Sequence, residues 1–328
     1  MTLHPNRYAT MPYRRCGSSG LLLPAISLGL WQGTGSYVEA GMSKEIVLTA
    51  FNAGITHFDL ANNYGSPAGA SETLFGTILK DLPRHELVIS TKAGHLMWPG
   101  PHGQGGGRKH ILDSCEQSLR RLGLDHVDIF YSHCMDPATP LEETLGALET
   151  LVRQGKAIYT GISKYPDPHF TRAVDIVSQR QWAPITIHQP YYNMLDRTIE
   201  STVLPTARRE GVGVIAFSVL AQGILSGKYL EGIPGDSRIA RGMGNGALSA
   251  ERLAPAALEK VRKLASVATT RGQSLSQMAI AWVLRDPVVT SALTGASRPE
   301  QVLDSVRALE NLVFSTEELA RIDAILAG

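Results

Sequence analysis

The sequence predicts an α/β protein: a (β/α)₈ TIM barrel with an N-terminal β-hairpin plugging its bottom and long loops at its C-terminal face. Three observations lead there. Eight short, β-rich apolar runs alternate with longer stretches of helical period, and parallel neighbours need crossovers of that length. No linker or shift of composition divides the 328 residues. Eight units alone would allow an open doubly wound sheet, but an undivided chain favours one closed domain over residues 1–328. Two long irregular stretches follow strand ends, where a barrel places its active site.

In chain order, Tyr13–Cys16 and Leu21–Leu23 flank the turn Gly17-Ser18-Ser19-Gly20, which reads as the hairpin. The strands are expected at 26–30, 56–59, 87–92, 127–133, 157–163, 186–189, 213–217 and 289–294. Amphipathic stretches between them include 44–52, 111–121, 141–153, 170–179 and 276–285. Thr139-Pro140-Leu141-Glu142 reads as a capping box with proline in the first turn. Ser297-Arg298-Pro299-Glu300 and Ser315-Thr316-Glu317-Glu318 repeat the pattern. The irregular stretches are 94–107 and 222–255, and loops this long are usually functional or disordered.

Composition bounds the function. Hydrophobic residues make up 43% and charged residues 19%, a globular mixture. Thirty-one Lys and Arg against thirty Asp and Glu leave a net charge of +1. Nucleic acid is therefore not expected as a partner. No apolar run approaches the ~18 residues of a membrane span, and the polar start 1–14 lacks the apolar centre of a signal peptide. Cys16, Cys115 and Cys134 are odd in number and widely spaced. They suggest a reducing compartment and neither a disulfide framework nor a CxxC metal site. A cytoplasmic protein is expected; its oligomeric state is left open, a homo-oligomer included.

The chemistry gathers at strand ends. Asp59 closes the second expected strand, Lys92 the third and His133 the fourth, while Tyr64 follows in the loop after Asp59. Each alone has a bland reading: a buried ion pair, a satisfied core histidine, a loop aromatic. All four on one face favour a catalytic centre. No second His, Asp or Glu cluster joins His133, which disfavours metal chemistry. No GxGxxG follows the first strand, since Gly29-Leu30-Trp31-Gln32-Gly33 does not fit. The run Gly103-Gln104-Gly105-Gly106-Gly107-Arg108-Lys109 lacks the Walker spacing and reads as a flexible lid.

Asp59-Leu60-Ala61-Asn62-Asn63-Tyr64-Gly65, Ser90-Thr91-Lys92-Ala93-Gly94 and Tyr131-Ser132-His133 resemble catalytic segments of the aldo-keto reductase superfamily. Gly29-Leu30-Trp31, Met97-Trp98-Pro99-Gly100-Pro101 and Leu220-Ala221-Gln222-Gly223 are similar to its bacterial L-glyceraldehyde-3-phosphate reductase group, which is related to the β subunits of voltage-gated potassium channels. The resemblance implies NADPH-dependent reduction of small aldehydes or ketones, with glyceraldehyde 3-phosphate and methylglyoxal as leading candidates. Tyr64 would be the acid. Lowering a phenol by two units from ~10 requires ~2.7 kcal/mol, and an ammonium ~4 Å away contributes about 4 kcal/mol at an effective dielectric of ~20. Lys92 would supply that field, Asp59 would anchor Lys92, and His133 would orient the carbonyl and bond the developing oxyanion.

The same resemblance implies the cofactor contacts. Ser163 and Gln189 would hold the carboxamide and Phe217 would stack on the nicotinamide, with Trp31 and Asp59 beside it. Ser218, Leu220, Gln222, Gly223, Leu225 and Lys228 would follow the pyrophosphate. Gly295, Ser297 and Arg298 would hold the adenosine 2′-phosphate, Ser297 also capping the helix that follows. Gln301, Asp304 and Ser305 occupy adenine-contact positions, where Ser305 departs from the usual asparagine. Lys164 also departs, standing where much of the superfamily has a second carboxamide ligand. Lysine cannot accept a hydrogen bond, so it either points to solvent or adds positive charge at the mouth. Trp31, Tyr64, Met97, Trp98, His133 and Lys164 would line the substrate pocket, with Arg238 or Arg241 as further sources of charge. The rival reading is an NADPH-binding regulatory subunit like the channel β subunits. Those carry long N-terminal extensions, whereas about a dozen residues precede the hairpin here.

Overall fold

The protein is described by a computed structural model that covers residues 3–31, 34–35, 37–235, 240 and 253–327. A short antiparallel hairpin, β1 (Tyr13–Arg15) and β2 (Leu22–Pro24), comes first. Eight parallel strands then close a barrel: β3 (Ile26–Gly29), β4 (His57–Asp59), β5 (Val88–Ala93), β6 (Val127–Ser132), β7 (Ala157–Ser163), β8 (Ile185–Gln189), β9 (Gly213–Ala216) and β10 (Val289–Thr294). Each pairs with its sequence neighbour, and β10 closes onto β3. This is the expected (β/α)₈ fold. The strand ends differ from the expectation by a residue or two, as element boundaries commonly do.

The helices are α1 (Ala40–Asn52), α2 (Ala70–Ile78), α3 (Arg108–Leu122), α4 (Leu141–Arg153), α5 (His169–Gln179), α6 (Val203–Glu210), α7 (Pro255–Thr270), α8 (Leu275–Val283), α9 (Pro299–Arg307) and α10 (Thr316–Ala327). Alternation along each strand divides the core. Residues such as Phe58, Ile89 and Phe130 face outward into the layer shared with the helices. Ile129, Tyr131, Ile187, Ile215 and Leu293 form a separate inner cluster, joined from below by Cys16, Leu21 and Leu23 of the hairpin region. The hairpin therefore plugs the barrel. Its approach is so close that a Cβ at Gly213 would stand 2.3 Å from the Cys16 sulfur. Among the described residues no helix is long and apolar enough to cross a membrane.

Three local expectations need correction. At α4 the N-cap position falls on Pro140, with no side-chain cap, because the Thr139 hydroxyl donates to Asp136 at 2.7 Å. At α9, proline at the first helical position holds Arg298 extended, so Arg298 and not Ser297 is the N-cap, again without a side-chain cap. Gln301 instead reaches back to the Ser297 amide at 2.8 Å. The third correction concerns 103–107. These glycines form a packed turn where a loose segment was expected: a Cβ at Gly103 would lie 1.9 Å from the Trp98 carbonyl. The Gly106 amide donates to Asp136 at 2.8 Å, and its carbonyl accepts from Thr144 at 2.8 Å. The Ser315 box before α10 does form. A further box, Ser274 with Gln277, opens α8.

Candidate active site

The register of β4 and β5 sets the Asp59 backbone opposite Ser90, and Lys92 lies two residues further along the same inward face. Lys92 Nζ therefore reaches Asp59 Oδ2 at 2.5 Å and the Leu60 carbonyl at 2.6 Å. The other carboxylate oxygen, Oδ1, accepts from Ser90 at 2.6 Å and from Gln189 Nε2 at 3.1 Å. Both charges are fully buried. Such a pair survives away from water only when well hydrogen-bonded, and here both members are.

Tyr64, half-buried, comes from the loop above β4. Its ring lies 5.2 Å from the Lys92 ammonium, 6.2 Å from the Trp31 ring and 5.8 Å from the His133 ring. Burial, reinforced by the Asp59 charge, holds its phenol well above the ordinary tyrosine value. The expected lowering by Lys92 does not appear. Asp59, in contact with the ammonium, cancels much of its field, and the buried phenol has lost hydration. Tyr64 is thus firmly protonated at neutral pH, the state an acid must hold.

His133 is nearly buried, and its Nδ1 has no hydrogen-bond partner among the described residues. Burial first, then the charges of Lys92 and Lys164, hold it well below the ordinary histidine value. A neutral imidazole remains, and its N–H can donate to a carbonyl oxygen.

His95, which the sequence reading did not single out, packs edge-on against His133 with ring centroids 4.4 Å apart. Its Nε2 lies 2.8 Å from Lys164 Nζ. Burial and the neighbouring Lys164 push His95 down to about 4, so it accepts from the ammonium. The Lys164 side chain is exposed, its ammonium is held beside His95, and its backbone lies in the left-handed region (φ 57°).

The remaining expected residues fall into three groups. Ser163 and Gln189 end adjacent paired strands; the Ser163 hydroxyl donates to the Gln189 carbonyl at 2.9 Å. Phe217 follows β9 with its ring 5.5 Å from Tyr191. Ser218, Gln222 and Gly223 lie with Leu220, Leu225 and Lys228 in one tight loop. Ser218, Ala221 and Gln222 all have positive φ (56°, 47° and 59°), a strain that clusters at ligand sites. At the third position, Gly295, Ser297 and Arg298 are exposed before α9. Gln301, Asp304 and Ser305 are engaged internally: Asp304 accepts from Gln277 at 2.6 Å, and the Ser305 hydroxyl turns back to the Gln301 carbonyl at 2.9 Å.

Trp31 is brought to Tyr64, whereas the Trp98 ring packs against His110 of α3, with centroids 5.3 Å apart. The Met97 amide is bonded to the Gly103 carbonyl at 2.9 Å. Arg238 and Arg241 lie outside the described residues. Cys134 is half-buried, and burial raises its thiol, which suits a packing role.

Comparison with known proteins bears on this constellation. The sequence model of the Aldo/keto reductase family matches residues 25–327, from β3 through α10. L-glyceraldehyde 3-phosphate reductase of Escherichia coli is 52% identical over 330 residues, spanning 99% of this chain and 95% of that protein. A protein of Oryza sativa subsp. japonica named probable voltage-gated potassium channel subunit beta is 36% identical over 324 residues, spanning 96% and 97%. A family match over almost the entire barrel, on a chain whose strand ends converge in this way, makes the protein an oxidoreductase belonging to the aldo/keto reductase family.

Proposed function

We propose that the protein reduces small aldehydes and ketones to alcohols with NADPH, on one barrel domain spanning residues 1–328, with Tyr64 as the general acid. The observation that carries this reading is the buried Lys92–Asp59 pair at 2.5 Å beneath a protonated tyrosine and beside a neutral histidine. The cofactor, when bound, supplies the hydride to the carbonyl carbon. Tyr64 gives its proton to the oxygen, whose growing negative charge is more basic than a phenolate. His133 donates its N–H to the same oxygen and holds it in place. Lys92 remains ammonium under Asp59 and stabilises the phenolate left behind.

The residues present fit a nicotinamide dinucleotide. Ser163 and Gln189 offer polar groups at the strand ends, Phe217 a flat face, and the strained loop 218–223 with Lys228 a bed for phosphates. The Arg298 guanidinium stands at the N-terminus of α9, whose first amides have no side-chain cap, a setting suited to an anion. Arg298→Ala is expected to weaken NADPH binding ~10-fold or more while NADH hardly responds. Titrating both cofactors onto both proteins checks this, and equal losses would make Arg298 structural.

The substrate class follows from the mouth. Lys164 places a fixed positive charge there, and the Escherichia coli relative is named for a phosphorylated aldehyde. Glyceraldehyde 3-phosphate, methylglyoxal and similar short aldehydes are therefore the proposed substrates. A phosphorylated aldehyde should show a higher kcat/KM than its unphosphorylated form, and salt should erode the difference. Lys164→Ala should raise KM for the phosphorylated substrate alone, because the contact is made equally in ground and transition states. Indifference to the phosphate would mark a broad detoxifying reductase instead. An aldehyde panel with NADPH and NADH, scored by stoichiometric cofactor oxidation, tests the whole reading. No oxidation with any carbonyl compound would favour a regulatory subunit like the channel relatives.

A further inference from the structure

The barrel interior is polarised. Its β6, β8 and β9 side is filled by Ile129, Tyr131, Ile187 and Ile215, joined by Leu293 from β10. The opposite side holds a continuous polar chain through four adjacent strands, β10, β3, β4 and β5. Ser291 Oγ lies 2.7 Å from Ser27 Oγ, which lies 2.8 Å from His57 Nδ1. His57 Nε2 lies 3.0 Å from Ser90 Oγ, and Ser90 Oγ donates to Asp59 Oδ1 at 2.6 Å. All five side chains are fully buried.

The direction of every bond follows from its last member. A carboxylate only accepts, and a hydroxyl has one proton to give. Ser90 spends its proton on Asp59, so it must accept from His57 Nε2–H. The neutral ring then presents a bare Nδ1, which accepts from Ser27, and Ser27 accepts from Ser291. The opposite tautomer could still be served by Ser27, which would accept from Nδ1–H, but it would set the bare Nε2 against the Ser90 oxygen lone pairs at 3.0 Å. Burial keeps the ring neutral, pushing His57 down to about 4. The chain does not end at solvent, so it cannot deliver protons to or from bulk water. What it can do is hold Oδ1.

We infer that Ser90 and His57 are positioning residues, the terminal members of a hydrogen-bonded chain that fixes the Asp59 carboxylate so that its other oxygen holds Lys92 beneath Tyr64. Oδ1 is taken by the chain and by Gln189, and Oδ2 by the ammonium. Without the Ser90 donor the carboxylate can rotate, and Lys92 can swing away from the phenol. Aligned donors also strengthen one another in a dry interior, so the effect of His57 reaches Asp59 through Ser90. The inference rests on the reading of Lys92 and Tyr64 given above.

The test uses the full-length protein. Ser90→Ala is expected to lower kcat ~10-fold or more, since small misplacements of catalytic groups are costly. KM and NADPH affinity should change little, and Ser90→Thr should recover most of the loss. Nitrogen-15 shifts of His57, assigned through His57→Gln, should show Nε2 protonated and Nδ1 bare near pH 7 in the wild type. Wild-type kcat in Ser90→Ala, or an Nδ1–H tautomer at His57, would overturn the inference. So would equal losses of kcat and thermal stability in Ser90→Ala and Ser90→Thr, which would reduce Ser90 to packing. Lys92→Met separates this inference from the reading beneath it: an inactive Lys92→Met beside a fully active Ser90→Ala sinks only the positioning chain, whereas an active Lys92→Met sinks both.

Discussion

Tyr64→Phe is expected to remove carbonyl reduction almost completely, leaving less than about 1% of the wild-type kcat, as loss of a general acid typically costs 10²–10⁴-fold. The substitution deletes only the hydroxyl. The ring keeps its places against Trp31 and His133, so neither folding nor NADPH affinity should change. Single-turnover rates with pre-bound NADPH give the chemical step directly, and fluorescence titration gives the affinity. Residual turnover well above 1% would take Tyr64 out of the role of acid and turn attention to His133.

The second large effect is Lys92→Met, because it strikes activity and stability together. Asp59 would keep its donors Ser90 and Gln189 but lose the charge at 2.5 Å. Breaking a buried pair by removing one partner typically costs about 3–5 kcal/mol. A clear fall in the denaturation midpoint should therefore accompany loss of kcat. The double variant Lys92→Met with Asp59→Asn should recover most of that stability, since no uncompensated charge remains, yet stay inactive. Wild-type stability in Lys92→Met would mean that the pair contributes nothing net to folding, and wild-type kcat would mean that Tyr64 needs no cation.

Much of this arrangement was legible in the residues. The positions of Asp59, Lys92 and His133 at the ends of apolar runs placed them on one face before any geometry was known. Barrel strands are fully buried apolar segments, so a charged residue at such an end stands out. The hairpin was equally plain, since Gly17-Ser18-Ser19-Gly20 between apolar runs specifies a turn chemically. Helix starts were less so. Ser315 was placed correctly, but at Ser297 and Thr139 the cap falls one residue later, on the residue at or before a proline. A capping pattern states which side chains could bond; Asp136 and Gln301 competed for those bonds.

His95 left no sequence signal at all. It is an ordinary loop histidine until β5 and β7 bring it, across 69 residues, to Lys164. The same holds for Ser27 and Ser291, 264 residues apart. Protonation states belong to this second kind as well. Composition cannot say that His133 and His57 are neutral or that Tyr64 is held high, because hydration lost on burial sets all three. The sequence by itself determined the alternation of elements and which chemical groups end the strands, because hydrophobic period and turn chemistry act between near neighbours. Only the tertiary structure decided which groups meet and what charge they bear, because strand register and burial depend on the closed barrel as a whole.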